Sequence, residues 1–208
     1  LFAGVRRVEI ENRITQNFRG ILTWGFGFDI EAPDLHHEEV GAILRAGLTN
    51  DPTRPGHYSP RNARYDWLTL NHFADISAAG GRGLTLSNAD CYFMRYGNST
   101  TDHLDTATPY VGVLAGGRID STTAGMQNQG GDVRFLQRFA LRAHDGYDPC
   151  LAMKFALEHQ NPLVVGIVSG ASAYPPDSYS LVSGSDPDVL LWALKPSEEG
   201  IGAGLIVR

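Results

Sequence analysis

The run His36-His37-Glu38-Glu39 places two imidazoles beside two carboxylates, and both side-chain types bind metal ions. A helical zinc site of the His-Glu-x-x-His type requires a second histidine four residues after His37, but Gly41 stands there. The spacing therefore argues against a helical zinc site. We predict a solvated loop for this run, with a metal or sugar contact as the alternative.

Two other segments resemble catalytic motifs only in part. Gly80-Gly81-Arg82-Gly83 has no Lys-Ser/Thr after it, and Leu84-Thr85-Leu86 reads as a strand rather than the helix that follows a phosphate loop. Ser169-Gly170-Ala171-Ser172 lacks the Gly-x-Ser-x-Gly pattern, and Pro175-Pro176 prevents a following helix. We predict a hairpin turn at the first segment and no nucleophilic serine at the second.

Carboxylates and aromatic side chains could act on sugars, but their pairing depends on spatial separation. The candidate carboxylates are Asp75, Asp90, Asp102, Asp105, Asp120 and Asp132. The candidate sugar-stacking residues are Tyr65, Trp67, Tyr92 and Tyr96. Aromatic residues that alternate along strands are more often core residues, so spacing alone identifies no sugar site.

The overall composition indicates a soluble globular protein. The chain has 208 residues and a net charge of -6, which argues against a nucleic-acid surface. No run approaches the roughly 20 apolar residues that span a bilayer, so we predict no membrane contact. Two cysteines, Cys91 and Cys150, form neither a disulfide framework nor a four-cysteine zinc site, and their sparsity favours a bacterial cytoplasmic protein.

A period of two dominates the elements that must position these residues. Leu22, Trp24, Phe26, Phe28 and Ile30 share one face of a predicted strand. Near position 140, apolar residues occupy one face and arginines the other; the sets are Val133, Phe135, Phe139, Leu141 and Arg134, Arg138, Arg142. This is the pattern of half-buried antiparallel strands. Further strands are predicted near 67–76, 83–87, 91–96, 110–115, 163–168, 178–183, 188–195 and 204–208.

One helix is predicted near 148–160. Asp148 is a suitable N-cap, Pro149 suits the first helical position, and Asn161-Pro162 ends the element. The polar stretches 47–62 and 97–109 read as surface loops. The pattern predicts a mainly β fold, a large antiparallel β-sandwich with one short helix, forming a single domain over 1–208.

The two ends of the chain read as boundaries within a longer protein. The chain opens at Leu1 rather than at a methionine, and Gly204 to Arg208 reads as a strand with no closing turn. We therefore expect a fragment of a longer multidomain protein.

Three segments, in order, resemble the C-terminal region of glycoside hydrolase family 38 α-mannosidases. In the first, Phe73-Ala-Asp75-Ile-Ser77 and Gly83-Leu-Thr-Leu-Ser-Asn88 are similar to the family's aromatic-x-Asp-Leu-Ser and Gly-Val-Ala-Leu-Leu-Asn stretch. Asp90-Cys91 continues it, displaced by Ala89.

The second segment, Phe139 to Leu163, resembles the family's strand, His-x-Gly and helix ending in Asn-Pro-Leu, with matching residues at His144, Gly146, Ala156, Glu158, Asn161, Pro162 and Leu163. In the third segment, Ala193 to Gly200 and Leu205 to Arg208 resemble Lys-Pro-x-Glu-Asp-Gly followed by Ile-Leu-Arg-Leu. Loops 31–62 and 97–130 have no counterpart.

The resemblance implies a galactose mutarotase-like supersandwich. It also implies a parent enzyme that hydrolyses α-mannosides with retention, with zinc and the nucleophile in N-terminal domains that this chain does not contain. We therefore assign no catalytic or metal residue here and expect no cofactor in this chain. The expected partners are the N-terminal catalytic and helical domains of the same polypeptide and the α-mannoside substrate, and a homo-oligomer is an open alternative.

Asp75, Asn88 and His144 are polar residues within the best-matched motifs. We predict that they face the interdomain surface or brace loops that line the sugar cleft, the alternative being turn capping and strand-end hydrogen bonds. Two rival functions remain: a carbohydrate-binding module, and a mutarotase-like epimerase with a histidine acid from His72, His103 or His144 and a carboxylate base.

Overall fold

The chain forms antiparallel sheets and one α-helix, as its period-two pattern predicts. The structure is a computed structural model that describes residues 6–78, 81–120, 125–167, 169–171, 173–175 and 177–208. The strands are β1 (Val8–Ile14), β2 (Leu22–Gly27), β3 (Pro33–Glu39), β4 (Ala42–Arg45), β5 (Leu68–Thr69), β6 (Phe73–Ala78), β7 (Gly83–Asn88), β8 (Phe93–Tyr96), β9 (Tyr110–Gly116), β10 (Phe135–His144), β11 (Leu194–Ser197) and β12 (Gly200–Val207). The helix α1 spans Pro149–Gln160.

Contacts divide the chain into two compact units, residues 1–161 and 162–208. The first unit contains β1 to β10 and α1. In the second, β11 and β12 form an antiparallel hairpin. The predicted strands at 163–168 and 178–183 do not form in the described residues of those ranges. In the first range Leu163, Val164 and Val165 are almost fully exposed and pair with no other strand, so no sheet buries them. One domain over 1–208 stays a prediction.

Six strands form the larger sheet, in the order β1-β10-β7-β6-β3-β4. Successive residues of a strand point to opposite faces. On the inner face Leu35, Ile76 and Leu86 are buried in the core with Phe139. The outer face, by contrast, carries a row of polar residues, and this row builds the candidate site.

The smaller sheet covers that inner face. Its strands run in the order β2-β9-β8-β5. Met94, Val111 and Val113 are fully buried in the same core as Phe139, and the ring of Phe26 lies 5.1 Å from the ring of Phe139. Two sheets thus pack face to face through the apolar positions of their strands.

Helix α1 covers part of the outer face. Asp148 accepts a hydrogen bond from Leu151 N (2.8 Å) and Pro149 opens the first turn, as the sequence predicts. Phe155 and Ala156 are buried with Phe73 of β6. In the part of the chain that the structure describes, no helix is both long and apolar enough to cross a membrane.

The predicted loop at 36–39 is wrong, because these residues lie in β3 between two neighbouring strands. His36 pairs with Arg45 of β4 and with Asp75 of β6. His37 and Glu38 are fully buried. The run of histidines and glutamates does not show the period-two pattern of a strand. The strand forms because β4 and β6 pair with it on both sides.

Candidate functional site

A buried carboxylate and a histidine meet on the outer face of the larger sheet. The Nε2 atom of His144 lies 2.9 Å from Oδ2 of Asp75, whose side chain is fully buried. Thr85 donates to the same oxygen over 2.7 Å, and Ser77 donates to the other carboxylate oxygen. Both oxygens of Asp75 are therefore held by side chains from three strands.

Strand register explains why these residues meet. His36 of β3 pairs with Asp75 of β6, Asp75 pairs with Thr85 of β7, and Thr85 pairs with Arg142 of β10. Paired residues in an antiparallel ladder point to the same face and interact across it. A polar row thus crosses four strands, and Asp75 lies inside it.

Gly83 provides the space for the imidazole. A Cβ atom at this position would lie 2.7 Å from Cε1 of His144 and 2.5 Å from Oγ of Ser77. Both distances are shorter than a van der Waals contact. A glycine is therefore required beneath His144 if the ring is to reach Asp75.

Polar atoms without partners surround the same carboxylate. Among the described residues, Nδ1 of His144, Nδ1 of His36 and the hydroxyl of Tyr147 are buried and accept or donate no hydrogen bond. The His36 ring stacks on Tyr147 with a centroid distance of 4.2 Å. Such atoms cost about 1–3 kcal/mol each and mark places where function is to be sought.

Burial shifts the proton affinities of this stack. Removal from water lowers the pKa of His36, since the charged imidazolium is disfavoured there. Removal from water also raises the pKa of Tyr147, as does the nearby charge of Asp75. Both side chains are consequently neutral near pH 7, so they add no charge near Asp75.

Two clefts border the pair, and His144 lines both of them. The first has a volume of about 390 Å³ and lies between Arg6, Arg142 and the residues Asp148 to Glu158 of the helical segment. The second, of about 680 Å³, lies beside Asp29, Glu31 and Arg82. Volumes of this size are typical of small-molecule sites.

The Asp75–His144 pair can orient an imidazole and set its tautomer. A carboxylate oxygen beside Nε2 favours the tautomer that carries its proton on that nitrogen, and in this tautomer Nδ1 is a hydrogen-bond acceptor. Within the described ranges, no three His, Cys, Asp or Glu side chains are grouped so that they could hold a metal ion. The arrangement is therefore suited to binding and orienting polar groups.

Asn88, the third predicted residue, lies apart from the pair. It occupies the inner face opposite Phe139. Its Nδ2 donates to the carbonyls of Leu70 and Cys91, and its Oδ1 accepts from Cys91 N (3.0 Å). Asn88 therefore braces the turn after β7, in line with the structural alternative for this residue.

The other candidate histidines have different environments. His72 Nδ1 lies 2.6 Å from Oε2 of Glu38, and its backbone N–H donates to the same oxygen over 3.1 Å. His103 is exposed in the loop before β9. Only His144 joins a candidate carboxylate on the outer face.

The remaining predicted carboxylates and aromatics serve mainly local structure. Asp90 binds Arg138 through three hydrogen bonds, Asp105 accepts from the backbone of its own loop, Asp120 is half-buried, and Asp102 and Asp132 are exposed. Tyr65 and Tyr96 belong to the core, Trp67 lies under Arg95, and Tyr92 is exposed.

Several residues of the site were missed from the sequence. The sequence predicts a loop at His36, and no pattern in it identifies Ser77, Thr85, Arg142 or Tyr147 as residues of the site around Asp75. The available signal was the alternation of small polar residues along β6 and β7, which places them on one face of the sheet. Such a face is normally solvated, so the burial of these residues in the structure indicates a site.

No protein-family model and no curated protein sequence matches the chain.

Proposed function

We propose that this chain is a non-catalytic β-sandwich domain of an α-mannosidase similar to glycoside hydrolase family 38. In this proposal its outer sheet face walls part of the sugar-binding cleft and packs against the catalytic domain. The zinc ion and the nucleophile belong to that other domain. The proposed fold is a supersandwich of the galactose mutarotase type.

The observation that carries the proposal is the contact between Asp75 and His144. Asp75 belongs to the first motif segment and His144 to the second, and 69 residues separate them. Two of the three polar residues in the matched motifs, Asp75 and His144, thus meet at one site bordered by two clefts, while Asn88 lies on the opposite face. A cleft wall needs hydrogen-bonding groups in fixed positions, and the pair supplies them.

The epimerase alternative is less well supported by the same contact. A mutarotase-like mechanism needs an acid and a base on opposite sides of a sugar ring. Asp75 and His144 are only 2.9 Å apart, so no ring fits between them. The carbohydrate-binding module is also less well supported than the mannosidase domain, because such a module needs exposed aromatic rings that stack on sugars. Within the described residues, the one Phe, Tyr or Trp that lines either cleft is Phe155, which is buried.

Hydrolysis of an aryl α-mannoside with added zinc tests the proposal. The 208-residue chain is compared with the longest product of its parent gene. We expect activity in the longer product alone, and a lower kcat/KM after His144→Gln in that product than after the exposed-site control Asp132→Asn. Turnover by the 208-residue chain, or an inactive longer product, would contradict the proposal.

A further inference from the structure

The first cleft contains an arginine that is held in place but not neutralised. Arg142 donates to the carbonyl of Leu151 (2.6 Å), and its guanidinium lies 4.6 Å from the ring centre of Phe155. These two contacts fix the plane of the guanidinium. Arg142 is only partly exposed, so its orientation is set before any ligand arrives.

Arg142 has no carboxylate partner of its own, unlike the five arginines of the described residues that form ion pairs. Five arginines have a carboxylate within 4.0 Å: Arg7, Arg13, Arg45, Arg64 and Arg138. Among the described residues Arg142 has none, although Asp75, Asp148 and Glu158 lie near enough to act on it electrostatically. Its guanidinium has five N–H donors, of which the carbonyl of Leu151 uses one.

The proton affinity of Arg142 supports the same conclusion. Removal from water lowers its pKa, and the three carboxylates do not fully offset this effect. The surroundings therefore supply too little negative charge for a partly buried cation.

We propose that this cleft binds a compact oxyanion, a carboxylate or a phosphate group, which Arg142 holds through its free N–H groups. A planar guanidinium binds both kinds of anion with two parallel hydrogen bonds. Arg6 lies in the same lining and adds positive charge, while the charge of Arg7 is offset by Glu9. This cleft is one of the two that border Asp75 and His144, so the inference names a ligand class for part of that face, and its test uses this chain alone.

Glu158 distinguishes this ligand class from a neutral sugar. It lines the same cleft. A carboxylate repels an anion, so Glu158→Gln is expected to tighten oxyanion binding several-fold. For a neutral sugar the same carboxylate accepts hydroxyl hydrogen bonds, and its replacement would weaken binding.

The test is a titration of the 208-residue chain with inorganic phosphate, sodium acetate and methyl α-mannoside, followed by calorimetry or NMR. Phosphate and acetate are compared in order to identify which anion the site prefers. We expect Arg142→Met to weaken anion binding at least about tenfold and Arg142→Lys to weaken it less, because lysine keeps the charge but lacks the planar fork. Arg61→Met is the control, since Arg61 is exposed and lines neither cleft.

Oxyanion binding that weakens with added salt and with Arg142→Met would support the site. Unchanged binding in Arg142→Met and Arg142→Lys would overturn it, as would binding of methyl α-mannoside alone. Circular dichroism of each variant checks folding, and Arg142→Lys keeps the test decisive if Arg142→Met does not fold. The result does not depend on whether the longer product hydrolyses mannosides, so the two proposals can fail separately.

Discussion

His144 of β10 reaches across one strand of the larger sheet, β7, so that its Nε2 lies 2.9 Å from Oδ2 of Asp75 of β6, 69 residues earlier in the chain. In the intervening strand β7, Gly83 pairs with His144 of β10 and Thr85 pairs with Asp75 of β6. The contact therefore depends on three strands in register. A shift of one residue in any of them would turn one partner to the other face.

Removing the carboxylate should destabilise the protein. Asp75→Ala leaves the hydroxyls of Ser77 and Thr85 and the Nε2 of His144 buried without their acceptor. We expect the free energy of unfolding to fall by about 2–4 kcal/mol. Urea denaturation measures the change, and Asp132→Ala at an exposed position should stay within about 0.5 kcal/mol. Equal effects of the two substitutions would show that Asp75 is not the centre of a buried network.

A methyl group at Gly83 should displace His144. In Gly83→Ala the new Cβ would meet Ile76 O at 2.7 Å as well as His144, and backbone cannot move aside cheaply. We expect a loss of about 1–3 kcal/mol and a shifted His144 resonance in NMR spectra. Gly146→Ala is the matched control, since nothing lies within 4 Å of a Cβ there. A Gly83→Ala protein with unchanged stability would contradict the packing described.

Glu38 and Glu39 are neighbours with different burial and should respond differently to substitution. Glu38 is fully buried and accepts from the backbone N–H groups of Gly41 and His72 and from the His72 ring, tying a turn to a loop. Glu38→Ala should lower the free energy of unfolding by about 3 kcal/mol or more, because these donors lose their partner. Glu39 keeps a third of its side-chain surface exposed.

For Glu39→Ala we therefore expect a loss of about 1 kcal/mol or less. Thermal and urea unfolding of the two variants, measured side by side, decide the matter. A larger loss of unfolding free energy in Glu39→Ala than in Glu38→Ala would contradict the role of Glu38 as the buried hydrogen-bond acceptor.

Stability should fall as the pH drops below about 6.5, the usual pKa of a histidine, through His36 and His159. Removal from water lowers the pKa of both below the usual 6.5. Below pH 6.5 these two histidines therefore bind protons more readily in the unfolded chain than in the folded chain. The stability contributed by the neutral rings is complete above pH 6.5 and is lost as the pH falls through the folded-state pKa values.

His159→Asn isolates one of these groups. Ser87 Oγ lies 2.8 Å from Nδ1 of His159, and an asparagine amide reaches a similar position without titrating. We expect a shallower dependence of the unfolding free energy on pH between 5 and 6.5, where each group contributes up to about 1.4 kcal/mol per pH unit. The carboxylates with lowered pKa values, such as Asp90, act below that window. Identical slopes in the two proteins would exclude His159 as a contributor.

Much of the fold was predictable from local patterns. The alternation of apolar residues after Thr23 and the arginine face of β10 are properties of neighbouring residues, and both reappear in the structure. The predicted face is shorter than expected, because Leu22 is exposed at a register shift and β2 ends at Gly27. Asp148 and Pro149 mark the start of α1 for the same reason, since capping acts within one turn. The sequence by itself therefore determined the mainly β class and the position of the helix.

Tertiary structure alone decided which of these residues meet. Nothing near His36 indicates a strand between β4 and β6, and nothing near Asp75 identifies His144 as its partner. Strand order and register bring distant residues together, and these depend on the packing of the whole core rather than on spacing along the chain. Asn88 illustrates the reverse case: it lies within the same motif segment as Asp75, but a position on the opposite face makes it a brace for a turn.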